Sequence, residues 1–247
     1  ACLVGSEMCI RDRWNLTRDG EWPVRSYLDT VLNHAPAESN PTLLTTAFAN
    51  ARYTIDHFVG EEVREEIRAD YAERLWEVLQ AAPAGSDAQL TVARAAIQAL
   101  AATPEESGTQ RLRALIDGSL DGLALDPDIR WSILRALAAR DAVDAEELEA
   151  EKERDNTLTG AAAYLGVSHA FPSAEVKREV FDLVRTPGKY SNAEVDSLLA
   201  AFNAPRSAHL TEAFAQEYFD SLSQLWEEHP IEIANRLVRG LYPDVAF

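Results

Sequence analysis

Apolar residues recur at every third or fourth position along most of the chain, the spacing that aligns one face of an α-helix. The stretch 126–140 shows the pattern with its punctuation. Ile129, Ile133, Leu134 and Leu137 share a face, with Trp131 to one side. Asp126 is placed to cap the helix, Pro127 suits its first position, and Asp128 complements the positive end of its dipole. Similar segments precede it. A first helix is expected over about 18–32, with Trp22, Tyr27, Leu28, Val31 and Leu32. A second starts at Asn40-Pro41 and carries Leu44, Phe48, Ala51 and Ile55 until Gly60 breaks it. Val63, Ile67, Tyr71, Leu75 and Val78 stripe a third, and Asp87 is the expected cap of a fourth with Leu90, Ala93, Ile97 and Leu100. Thr103 to Glu106 has the spacing of a capping box before Leu112, Leu115 and Ile116.

Beyond the central helix, Asp144 and Glu147 mark a start, and Asn156-Thr157 separates that acidic helix from a small-residue one over 160–165. Pro172-Ser173 begins a helix with Val176, Val180 and Val184. Ser191 and Glu194 form a second capping box before Val195, Leu198, Leu199 and Phe202. Leu210, Phe214, Tyr218, Leu222 and Leu225 share one longer helix. His229-Pro230 ends it, and Ile231, Ala234, Leu237 and Leu241 make the last. No alternating Val/Ile/Thr segment predicts a sheet. The sum is an all-α chain of about twelve helices in antiparallel hairpins. Hairpins arriving roughly every 40 residues give the HEAT/armadillo period and predict an α-superhelix, with a compact orthogonal bundle as the alternative.

Composition narrows the classes of partner. The formal net charge of −18, from 41 acidic against 23 basic residues, argues against nucleic acid or an anionic membrane surface. No apolar run approaches the roughly 20 residues that span a bilayer. Both cysteines, Cys2 and Cys9, lie in the first ten residues, so the body of the chain has none; a reducing cytoplasmic location is the expectation. Residues 1–12 lack the pattern of a signal peptide and resemble a translated sequencing-adaptor stretch found in front of unrelated proteins. They are read as a non-native leader, with the domain proper at 13–247.

Candidate chemistry is sparse. A helical zinc hydrolase needs His-Glu-x-x-His, two imidazoles one turn apart with a general-base Glu, and the sequence has none. His34, His57, His169, His209 and His229 are scattered. His57 and Glu61 have one-turn spacing but Gly60 lies between them, so a helix-end histidine is the simpler reading. Residues 166–170, Gly-Val-Ser-His-Ala, half match a nucleophile elbow. That motif needs a preceding strand and a final glycine, so Ser168 reads as a helix-end hydroxyl. The acidic run 144–155 is either a carboxylate cluster for a cation or amine, or a solvated outer helix, the reading preferred. Asp128, Arg130 and Trp131 could line a cleft, with Arg130 binding a carboxylate. They could equally be a buried ion pair and a core indole. No catalytic, cofactor-binding or metal residue is assigned, and Arg130 is kept as a possible contact in a substrate chamber.

Five short motifs carry a resemblance. They are Trp14-Asn15-Leu16-Thr17-Arg18-Asp19, Gly85-Ser86-Asp87-Ala88-Gln89-Leu90, Asp128-Ile129-Arg130-Trp131, Arg154-Asp155-Asn156-Thr157 with Gly160, and Gly240-Leu241-Tyr242-Pro243. In this order they resemble the endoplasmic-reticulum-aminopeptidase-like C-terminal helical domain of the bacterial zinc aminopeptidase N family, in its actinobacterial form. The resemblance implies a HEAT-like superhelix that encloses the active-site chamber of a peptide-trimming metallopeptidase and shapes substrate access. It implies a partner, the catalytic domain of the same polypeptide, which carries the zinc; no cofactor is implied for this chain. A stand-alone helical-repeat scaffold that binds a protein partner is the alternative, and a hydrolase using Ser168 a remote third.

Overall fold

A computed structural model describes residues 6–38 and 40–243, with side chains from Ile10 onward. Cys2 and the side chain of Cys9 lie outside the described residues. Every regular element among those residues is helical. The chain divides into two compact units, Ala1–Leu125 and Asp126–Phe247.

The first unit holds α1 (Ser6–Arg18), α2 (Val24–His34), α3 (Pro41–Phe58), α4 (Glu61–Ala81), α5 (Asp87–Ala102) and α6 (Glu106–Ile116). Within it α1 packs on α2 and α3, α2 on α3 and α4, and α5 on α3, α4 and α6. Contacts to the next helix and the next but one are what stacked antiparallel hairpins produce. The core is the predicted stripe: Tyr27, Val31, Leu44, Ala51, Leu75, Leu79, Ala93, Ile97, Leu100 and Leu112 are all buried.

Several boundaries differ from the sequence reading. The helix expected over 18–32 starts only at Val24, because α1 ends at Arg18, the backbone N–H groups of Glu21 and Trp22 turn back to Leu16 O, and Pro23 stands at the cap of α2. Helix α1 spans Ser6–Arg18, and its Ile10 is buried. Val63 is exposed, and Val78 yields the buried position to Leu79. Ser86, not Asp87, caps α5, its hydroxyl accepting from Gln89 N at 3.0 Å. The capping box at Thr103 does not form. Thr103 instead ends α5, and Glu105 stands at the cap position of α6 without a side-chain capping hydrogen bond. Pro104 sends the chain out of helix at the residue where the box would need it to begin.

The second unit holds α7 (Pro127–Ala138), α8 (Ala145–Arg154), α9 (Leu158–Ser168), α10 (Ala174–Val184), α11 (Asn192–Phe202), the single turn α12 (Ala208–Thr211), α13 (Ala215–Glu228) and α14 (Ile231–Gly240). Helices α7, α9, α11 and α14 pack in succession as one layer. Helices α8, α10 and α13 each pack on a member of that layer. The predicted Ser191–Glu194 capping box is present in full. The long helix expected from Leu210 to Leu225 is instead α12, a 3-10 turn at Glu212–Phe214 and α13. Val180, Phe181, Val184, Leu198, Phe202, Phe214, Tyr218 and Leu237 form the core. The three phenylalanines among them make mutual ring contacts at 4.8–5.9 Å. The layer is tight because α9 is built of small residues: a Cβ on Gly166 would lie 2.8 Å from Ser197 O on α11.

Candidate functional site

The residues singled out for chemistry converge on the junction of α7, α8 and α9. Asp126 caps α7, accepting from Ile129 N at 2.8 Å, and this sets the helix so that Arg130 and Trp131 face α8 and its C-terminal loop. Arg130 donates from Nε to both oxygens of Glu151, at 2.8 and 2.9 Å, and from Nη2 to Oε2 at 2.6 Å. The Glu151 side chain is only 4% exposed and that of Arg130 18%. Next to it, the Trp131 indole N–H donates to Asp155 Oδ2 at 2.8 Å. The other carboxylate oxygen of Asp155 accepts from the Thr157 hydroxyl at 2.7 Å, and that hydroxyl accepts from Gly160 N at 2.9 Å, capping α9. A Cβ at Gly160 would stand 2.5 Å from Asp155 Cγ and Oδ2, so only glycine leaves room for this carboxylate.

The cluster corrects the reading of 144–155 as a solvated face. Leu148 and Glu151 are buried one turn apart, and Asp155 ends the run inside. The outward residues do behave as surface. Glu149 accepts a short hydrogen bond from Tyr164, and that bond, with Lys152 beside it, holds its carboxyl below the usual carboxylate range. Asp128, which was expected to share the cleft, is exposed in the first turn of α7. Of the two readings offered for Arg130 and Trp131, a buried ion pair and a core indole are what the structure contains. The sequence reading missed Glu151 and Asp155 as the partners. No local signal singles them out, because Glu147 and Glu151 share the same spacing of four as Glu151 and Asp155 and Glu147 is not buried.

Chemically the arrangement is a locked joint. Its carboxylates are engaged by donors, and neither a nucleophile nor a base stands free in it. Ser168 is the last residue of α9 and donates to Tyr164 O at 2.8 Å, as a helix-end hydroxyl does. His169 follows, its Nδ1 2.8 Å from Leu165 O. His57 closes α3 and stacks on Tyr53 with ring centroids 4.2 Å apart, while Glu61 starts a separate helix. Among the described residues no group of three or more His, Cys, Asp or Glu is arranged to hold a metal ion. The donors present therefore do not fit a zinc site. Among the same residues no helix is long and apolar enough to cross a membrane.

Two further motifs are also joints. Gln89 bridges two loops, accepting from Gly85 N and donating to Asp121 O, both at 2.8 Å. Asn203 donates to Gly240 O at 2.6 Å, where α14 passes over Leu199.

Comparison with known proteins bears on what such a scaffold belongs to. The profile described as "ERAP1-like C-terminal domain" matches residues 8–246. The chain is similar to a protein of Streptomyces lividans described as "Aminopeptidase N", with 33% identity over 240 residues. That alignment covers 96% of this chain and 28% of the relative, so the chain spans little more than a quarter of the length of the protein it matches.

Proposed function

The chain belongs to the ERAP1-like C-terminal domain family, and on that premise we propose that it is the C-terminal accessory domain of a zinc-dependent aminopeptidase. In this reading it caps the chamber in which N-terminal residues are removed from peptides and shapes which substrates enter. The zinc, its ligands and the general base stand on a catalytic domain of the same polypeptide, which is the partner, and the enzyme works in the cytoplasm. The observation that carries the reading is the relation of lengths: nearly the whole chain aligns with just over a quarter of an aminopeptidase N.

Arg130 enters this proposal with a limit. Its Nε and one hydrogen of Nη2 are held by Glu151, so a substrate carboxylate can meet it only through Nη1 and the other Nη2 hydrogen. The purified chain, supplied with zinc and aminoacyl fluorogenic substrates, is expected to show no turnover that a chelator abolishes. Chelator-sensitive turnover would put the chemistry in this chain and overturn the proposal.

A further inference from the structure

Two concavities of the first unit meet at one turn of α3. The smaller, of about 30 Å3, has walls from Phe48, Ile55, Tyr71 and Ala99. The wider, of about 330 Å3, is lined by Trp14, Asn50, Tyr53 and His57. Arg52 and Asp56 belong to both. These two residues are one helical turn apart, yet no ion pair joins them, and their polar groups are incompletely engaged. Arg52 is exposed and makes no hydrogen bond or ion pair among the described residues. Asp56 accepts from Arg68 Nη2 at 2.7 Å through Oδ1 alone, which leaves Oδ2 open. Arg68 Nε, at the wall of the smaller cavity, is buried without a hydrogen-bond partner. In a chain carrying 41 acidic residues, a guanidinium without a carboxylate at the meeting point of two cavities calls for an anion from outside.

Aromatic faces, a carboxylate oxygen and a guanidinium within one turn suit a zwitterion. The ammonium group would lie on Asp56 Oδ2, in the cavity that Trp14 and Tyr53 also line. The carboxylate would take Arg52 in the paired geometry that guanidinium favours. The side chain would then enter the smaller cavity. Its 30 Å3 is two to three times the roughly 10–15 Å3 that admits a single water, room for a branch of two methyl groups and too little for an aromatic ring.

We propose that this junction is a binding site for a free α-amino acid with a small aliphatic side chain, valine or alanine in size. The site is independent of any catalytic role of the chain.

Titration of the isotope-labelled chain with L-valine tests it, with the Trp14 indole N–H resonance as the reporter. A saturable shift with Kd on the order of 1 mM is expected for a ligand of this size. Arg52→Gln, at an exposed position, should leave the fold intact and weaken binding by about tenfold or more, the worth of one charge-assisted contact. Valinamide should lose the same factor against the parent chain and nothing further against Arg52→Gln. L-Tryptophan should bind at least about tenfold more weakly than L-valine. The proposal is overturned if no saturable shift appears by about 50 mM, well beyond the expected Kd. It is overturned equally if Arg52→Gln binds like the parent. N-acetyl-L-valine binding as tightly as L-valine would show capture of a peptide end instead and would also overturn it.

Discussion

Glu151 lies in the most acidic stretch of the chain, and its side chain is almost as inaccessible as a core leucine. A carboxylate taken out of water loses several kcal/mol of solvation, and a fork of guanidinium hydrogen bonds restores much of it. Removing one partner is therefore costly. Arg130→Ala, which leaves the buried Glu151 only the distant Arg154 guanidinium at 3.7 Å, should lose about 3–5 kcal/mol in a urea melt. The double replacement by apolar residues, Arg130→Met with Glu151→Leu, should cost much less than the sum of the singles, and a double-mutant cycle reads the difference. Trp131→Ala should also cost about 3–5 kcal/mol, since a buried indole and its hydrogen bond both go. Trp131→Phe keeps most of the packing and deprives Asp155 of one donor, for about 1–3 kcal/mol. Gly160→Ala pushes a methyl group into that same carboxylate, with an expected loss of about 1–3 kcal/mol in the same melt. A loss under about 1 kcal/mol at Trp131→Ala would show an indole near the surface and reopen the cleft reading.

At the scale of elements, helix existence was legible and helix ends were less so. Periodicity located α3, α4, α5, α7, α11 and α14, because a 3.6-residue stripe survives whatever the helix packs against. The ends depend on single residues with competing roles. Asp87 and Ser86 both cap well, and Pro104 could start α6 or stop α5. The partners within the site were illegible for a different reason: Glu151 sits 21 residues from Arg130, and no local pattern marks which carboxylate of an acidic helix turns inward. Lys177 is a second such case. It is fully buried on α10 with Nζ 2.6 Å from Ala201 O, at the end of α11, and burial lowers its pKa to about 8. The unfolded chain holds this proton up to about 10.5. Between those values unfolding takes up a proton, so Lys177 makes stability rise with pH through the window and fall as pH drops through about 8. Stability curves from pH 7 to 10.5 should show that rise, and Lys177→Met should flatten it. An unchanged slope in the variant would assign the dependence to other groups.

At the scale of the whole molecule, four of the five motifs that carried the family resemblance turn out to be places where helices or loops are joined. Gln89 ties two loops, Arg130 and Trp131 tie α7 to α8 and to the loop that follows it, Gly160 makes room for Asp155, and Gly240 admits the crossing of α14 over α11. A scaffold whose distinctive residues are structural is suited to a domain that serves chemistry located elsewhere. The net charge of −18 suits neither nucleic acid nor an anionic membrane surface and leaves the peptide-enclosing reading in place. That reading stands or falls on what precedes the domain. Sequencing the genomic DNA upstream of the Trp14 codon should reveal one open reading frame continuing into a helical His-Glu-x-x-His segment. A genuine start codon near that point, with no such segment in frame before it, would contradict the account.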